Sequence, residues 1–147
     1  MVEIRKATLS DEEDVATLIR ELAEAIGVIG DVNPVSWYST LRKMLASPEW
    51  TFLLAEEGKK KAGLLILLIL PSLYYGGSYA AITELVVSKE YRGKGIARRM
   101  VEEAKMLARS LDCAELDVSV EVDNEKAVGF YKKLGFVQKH ADFGMKL

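Results

Sequence analysis

Apolar and polar positions along this chain follow two different periods. Val15, Leu18, Ile19, Leu22 and Ile26 fall at offsets 0, 3, 4, 7 and 11, the stripe of an amphipathic helix. Ser10 and Glu13 stand where a capping box would open it, Ser10 bonding forward and Glu13 back. Residues 2–7 read as a short strand before it, and residues 27–33 break it. Pro34 suits the first turn of a second helix, with Trp37, Leu41, Met44 and Leu45 on its buried side.

The next stretch predicts three strands. Residues 49–55 form the first, and residues 56–60 supply a hairpin turn. Residues 62–70 are nearly continuous Leu and Ile; a run of nine also suits a buried helix, but the preceding turn and the stop at Pro71 favour a strand buried on both faces. Residues 71–77 turn, and residues 79–87 make the next strand. From Gly95 a long helix carries Ile96, Met100, Ala104, Leu107, Ala108 and Leu111 on one side. Residues 115–120 alternate, with Leu116, Val118 and Val120 inward. A helix over 124–134 and a closing strand pair, 135–137 with 143–147, complete the order β-α-α-β-β-β-α-β-α-β-β. That order predicts a mixed α/β sheet in one domain, residues 1–147.

Composition narrows the picture. The 147 residues are 50% hydrophobic and 29% charged, the balance of a soluble globular chain. A net charge of −2 weighs against a nucleic-acid binder relying on a bulk positive field, and leaves room for a local basic patch. One cysteine, Cys113, and one histidine, His140, exclude an intrachain disulfide and a Cys/His metal cluster. The first residues lack the apolar core of a signal peptide, and the apolar run of nine falls short of the roughly 20 residues that span a bilayer. The expectation is a cytoplasmic protein with neither metal nor membrane partner. Side-chain amides occur only at Asn33, Asn124 and Gln138 while Lys and Glu abound, a bias of thermophile proteins or the chance of a short chain.

Candidate chemistry begins where residues 86–97 run from strand through turn into a helix start. A helix N-terminus presents unpaired N–H groups to an anion. Gly93 and Gly95 let a phosphate approach the backbone, and Arg92 and Lys94 add charge at the rim. The P-loop pattern is absent, and the dinucleotide fingerprint fails because position 98 is Arg98. By itself the turn reads equally as a phosphate site or as a glycine turn with incidental surface charges.

Arg92-Gly93-Lys94-Gly95-Ile96-Ala97 resembles the Arg/Gln-x-x-Gly-x-Gly/Ala signature of the GCN5-related N-acetyltransferases, in the same strand-before, helix-after setting. A second block, Asn124-Glu125-Lys126-Ala127-Val128-Gly129-Phe130-Tyr131 through Gly135-Phe136, is similar to that family's Asn-x-x-Ala-x-x-Phe-Tyr-x-x-x-Gly-Phe segment. Residues 79–147 carry nearly all of the likeness. It implies a mixed, mostly antiparallel central sheet flanked by helices, and direct transfer of an acetyl group from acetyl-CoA to an amine in a ternary complex.

The resemblance also implies roles. Backbone groups of Leu85, Val86 and Val87 would pair with the pantetheine arm, and an amide at a bulge there would polarise the thioester. The amides of Arg92, Gly93, Lys94, Gly95, Ile96 and Ala97 would hold the pyrophosphate. Asn124 either caps its helix or bonds the pantetheine, or does both. Tyr131 is the family's usual acid for the leaving thiolate, against the plainer role of a core tyrosine. Glu84 is either the base, acting directly or through water, or a structural or substrate-orienting group. His140 suits the surface and Cys113 the core.

The amine pocket would draw on residues 26–38 and 71–79. Tyr74 and Tyr75 together with Glu84 are similar to the small-amine (diamine-type) acetyltransferases, two rings and an acid suiting a cation; an ordinary tyrosine-bearing hairpin turn is the plainer account. A protein N-terminus, a lysine, an amino acid or an aminoglycoside stays open as acceptor. A non-catalytic acyl-CoA-binding regulatory module is the rival from another class, and the family's habits allow a homodimer.

Overall fold

A thirteen-residue strand, Lys60–Ser72 (β3), is the spine of the molecule. The computed structural model describes residues 1–27 and 34–147; the expected link between the first two helices lies partly outside them, at 28–33. Along the chain come β1 Glu3–Lys6, α1 Glu12–Ile26, α2 Pro34–Ala46, β2 Trp50–Glu57, β3, β4 Gly77–Val87, α3 Ile96–Ser110, β5 Cys113–Val118 and α4 Glu125–Lys133. The strands lie in the order β1-β2-β3-β4-β5, and the first three pairings are antiparallel. The mixed, mostly antiparallel sheet flanked by helices is therefore as expected. The described residues divide into two compact units, Met1–Asp117 and Val118–Leu147.

In the first unit β3 is buried from Ala62 to Leu67 because both faces of the sheet are covered. Leu64 and Ile66 join Phe52, Leu54 and Val86 beneath Val15, Leu18 and Leu41 of the first two helices. Leu65 and Leu67 point to the opposite face, by the two-residue period of a strand. There α3 buries Met100, Val101, Ala104 and Ala108. Each fully buried Leu or Met contributes about 1.5–3 kcal/mol relative to exposure. At Gly63 a Cβ would sit 2.9 Å from the Val86 carbonyl oxygen and 3.1 Å from Met100 Sδ, so a glycine lets α3 settle onto the β3–β4 ladder.

Several expectations are revised. The strand does not stop at Pro71. Ile69 N–H donates toward β2, to Glu49 O at 2.8 Å, so Pro71, two residues on, faces the same side beyond the end of β2 and forfeits no ladder bond. The cap before α1 is built on Thr8, not Ser10. The Asp11 carboxylate accepts the Thr8 N–H at 2.8 Å and two bonds of 2.9 Å from Arg5, and a 3-10 turn, Leu9–Asp11, leads into α1. β5 starts at Cys113 and is half-buried on both faces, and Cys113 is only partly covered.

The expected closing strand pair is not formed. In the second unit residues 136–147 have no regular structure. Phe143, Met145 and Leu147 are exposed, so no buried face sets a strand register there.

Candidate functional site

The β3–β4 ladder contains one slip, and it falls beside Glu84. Ile66 pairs with Glu84, but the next residue of β3, Leu67, pairs with Ile82. Thr83 is the extra residue of a β-bulge. Without it, Glu84 would share the α3 face with Ile82; the bulge turns Glu84 to the face of Ile66 and Val86, under α1 and α2. Glu84 is half-buried, and its carboxylate accepts a hydrogen bond from the Thr83 hydroxyl.

The same ladder decides which backbone groups face outward. Ser88 N–H donates to Ala62 O at 2.8 Å, so those residues form a hydrogen-bonded pair. Pairs alternate along an antiparallel ladder. Val86 and Glu84 therefore direct their amides and carbonyls at β3, while Leu85 and Val87 direct theirs away, toward the other side of β4. The Val87 carbonyl already accepts a bond of 3.0 Å from Arg92 Nε.

Beyond β4 a 3-10 turn, Lys89–Tyr91, leads to Gly93 at φ 75° and Gly95 at φ 77°, the second being the N-cap of α3. Both lie in the left-handed region that favours glycine, and a Cβ at either would meet no heavy atom within 4 Å. Their need for glycine is conformational, and their outer surface is open. No side chain caps α3. The Ile96 side chain is buried, so only its backbone can serve a ligand. Ala97 is half-buried on the first turn.

The two rim cations differ. Lys94 Nζ stands 5.1 Å from the centroid of the Tyr91 ring, a cation–π distance. Arg92, besides its bond to Val87, lies 3.6 Å from Glu21 of α1, and Glu21 accepts the Lys89 N–H at 2.8 Å.

At the β3–β4 hairpin tip Tyr74 is 91% exposed and Tyr75 38%. Their rings meet edge-on, centroids 5.1 Å apart, and Tyr75 also tilts against Tyr79 at 6.4 Å. The Tyr75 hydroxyl donates to Glu115 of β5 at 2.8 Å. Tyr74 and Tyr75 thus share one tip, whereas Glu84 lies further along β4.

In the second unit Asn124 caps α4, its Oδ1 accepting the Ala127 N–H at 3.1 Å. Tyr131 is buried, edge-on to Phe130 at 5.0 Å and to Phe136 at 5.4 Å. Burial pushes its phenol up to about 12. His140 is exposed.

Sequence reasoning passed over Glu21, Thr83 and Glu115. The alternation Ile82-Thr83-Glu84 looks like an unbroken strand, and the two glutamates look like surface charges; nothing local marks them. Two surface grooves lie elsewhere, one of about 360 Å³ beside Ile4, Leu53 and Met106 and one of about 170 Å³ beside Trp50. Among the described residues no group of His, Cys, Asp and Glu is arranged to hold a metal, and no helix is long and apolar enough to cross a membrane.

Comparison with known proteins bears on this arrangement. The profile described as the acetyltransferase (GNAT) family matches residues 15–136. N-alpha-acetyltransferase 30 of Schizosaccharomyces pombe is 40% identical over 55 residues, 37% of this chain and 37% of that protein. The match spans about a third of the length of such N-alpha-acetyltransferases. Thialysine N-epsilon-acetyltransferase of Mus musculus is 28% identical over 139 residues, 90% of this chain and 82% of that one. Among solved structures, a transcriptional regulator from Bacillus halodurans C-125 superimposes with a TM-score of 0.88 at 25% identity, covering 100% of both chains.

Proposed function

Because the chain belongs to the acetyltransferase (GNAT) family, we propose that it transfers an acetyl group from acetyl-CoA to a primary amine by direct attack. The observation that carries this reading is the left-handed turn at Gly93 and Gly95, which joins β4 to the uncapped start of α3. Backbone N–H groups there suit a pyrophosphate, and the open surface leaves it room. Lys94 supplies a charge at the rim. Leu85 and Val87 turn backbone groups to the β5 side of β4, and an extended pantetheine arm would pair with them as an added strand where β4 and β5 splay apart.

The transfer needs a proton taken from the ammonium and one given to the thiolate. Glu84, turned by the bulge to the α1–α2 face, is the proposed base, acting directly or through water. Tyr131 is the proposed donor to the sulfur. With its phenol near 12 it stays protonated at neutral pH, yet it is a weaker acid than a thiol, whose ordinary value is about 8.5. Its help is therefore a hydrogen bond to the developing thiolate, which takes its own proton from solvent water as CoA leaves.

For the acceptor we propose a small amine or polyamine. The exposed Tyr74 ring and the Tyr75 ring at the hairpin tip suit one alkylammonium, and the Glu84 carboxylate, further along β4, suits another. The mouse relative's name is that of an enzyme acting on a small amine. A second reading, a protein N-terminus, draws on the identity with N-alpha-acetyltransferases. Thiol release from acetyl-CoA, followed against diamines, thialysine and short peptides, separates them. Diamines turned over ahead of peptides support the first reading, and the reverse order supports the second. Binding of CoA with no release for any amine sinks the catalytic reading in favour of an acyl-CoA-binding module.

A further inference from the structure

We infer that Glu21 is the positioning residue of the phosphate turn, holding it from α1 in the shape that receives CoA. The inference rests on the acetyl-CoA reading above and adds a residue that neither sequence block contains.

One carboxylate oxygen makes the connection. Glu21 Oε1 accepts the Lys89 backbone N–H at 2.8 Å and lies 3.6 Å from Arg92 Nη2. Arg92 in turn donates through Nε to the Val87 carbonyl at 3.0 Å. Helix α1, the end of β4 and both sides of the 3-10 turn are thereby joined. The Glu21 side chain is only 20% exposed, so the pair is less screened than an ordinary surface bridge.

The turn needs such a hold. Gly93 and Gly95 sit in left-handed conformations with nothing within 4 Å of where a side chain would start. A segment of that kind has many alternatives of similar energy, and its shape is decided at its flanks. On one flank α3 is anchored by Ile96 and Met100, which are buried. On the other, the Glu21–Arg92 pair is the anchor. Arg92 is then a strut of the turn, and Lys94, over the Tyr91 ring, is the cation left to face a phosphate. Ordering the turn beforehand removes an entropic cost from binding.

The test uses the full chain, with calorimetry of CoA binding, steady-state kinetics and amide hydrogen exchange. Loss of a charge-assisted bond predicts roughly tenfold weaker CoA binding for Glu21→Ala. The KM for acetyl-CoA should rise in proportion, with kcat held within about twofold. The Lys89 amide should exchange faster. Glu21→Gln keeps an acceptor for that amide and should recover part of the affinity; it also carries the comparison if the alanine variant does not fold. Glu24→Ala, an exposed neighbour on α1, should match wild type. Wild-type CoA affinity in Glu21→Ala, or a loss confined to kcat, overturns the inference alone. A wild-type chain that binds no CoA overturns the acetyl-CoA reading and the inference with it.

Discussion

Glu84 stands opposite Ile66 across the β3–β4 ladder, and the next pair joins Leu67 to Ile82, leaving Thr83 unmatched between them. That single slip puts a carboxylate on the same face as Val86 while its neighbour Ile82 stays on the α3 face. A bulge beside a candidate base is a way to aim one side chain without disturbing the strand around it.

The first prediction follows. If Glu84 takes the substrate proton, Glu84→Gln should lower kcat by roughly 100-fold or more, with CoA affinity unchanged because its backbone faces β3. Steady-state kinetics with parallel CoA titration checks this. Wild-type kcat would hand proton removal to water.

Tyr131→Phe should reduce turnover by on the order of 10- to 100-fold and leave acetyl-CoA affinity nearly unchanged. Desolvation disfavours the phenolate, so the group stays protonated until the pH approaches 12. The wild-type rate should therefore show no alkaline fall from Tyr131 below about pH 11. A pH–rate profile of both forms tests the pair of statements, and equal rates would remove Tyr131 from the reaction.

Gly95→Asp should weaken acetyl-CoA binding strongly, since it brings a carboxylate to the phosphate and a side chain to φ 77°. Gly95→Ala separates the two effects. Its Cβ meets nothing within 4 Å, so it carries only the backbone strain, about 1 kcal/mol. Calorimetry should rank affinity wild type, then Ala, then Asp; an Asp variant equal to Ala would place the phosphate elsewhere.

Acid should destabilise the fold through Asp11. The Arg5 hydrogen bonds hold its carboxyl well below the usual carboxylate range, against the opposing effect of its burial. A depressed folded value means the stabilisation is fully present above the unfolded value of about 3.9 and fades as pH falls toward the folded one. Glu56, lowered by the same guanidinium and by Lys61, acts in the same sense. Asp11→Asn should cost about 1–3 kcal/mol at pH 7, and its deficit should shrink below pH 4. Urea unfolding at both pH values measures it, and a constant deficit would contradict the assignment.

The outcome for the cap before α1 shows how local signals mislead. Thr8 and Ser10 each precede an acid by three residues, and the pattern does not choose between them. Arg5 does, by drawing Asp11 into a bidentate pair. At the other end, the alternation of Phe143, Met145 and Leu147 suggests a strand, but these residues are exposed and have no partner surface to set their pairing.

What the sequence alone determined is what neighbouring residues dictate. The helix stripe at Val15 and Leu18, the doubly buried run before Pro71, the left-handed glycines at 93 and 95 and the Asn124 cap all arise within a turn or a strand of chain. Only the tertiary structure decided the bulge at Thr83, the tie of Tyr75 to Glu115 across 40 residues and that of Glu21 to Lys89 across 68. Those depend on which strands pair in which register and on which helix lies over the turn. The pairing is set by burial summed over the whole sheet, and no short stretch of sequence carries that sum.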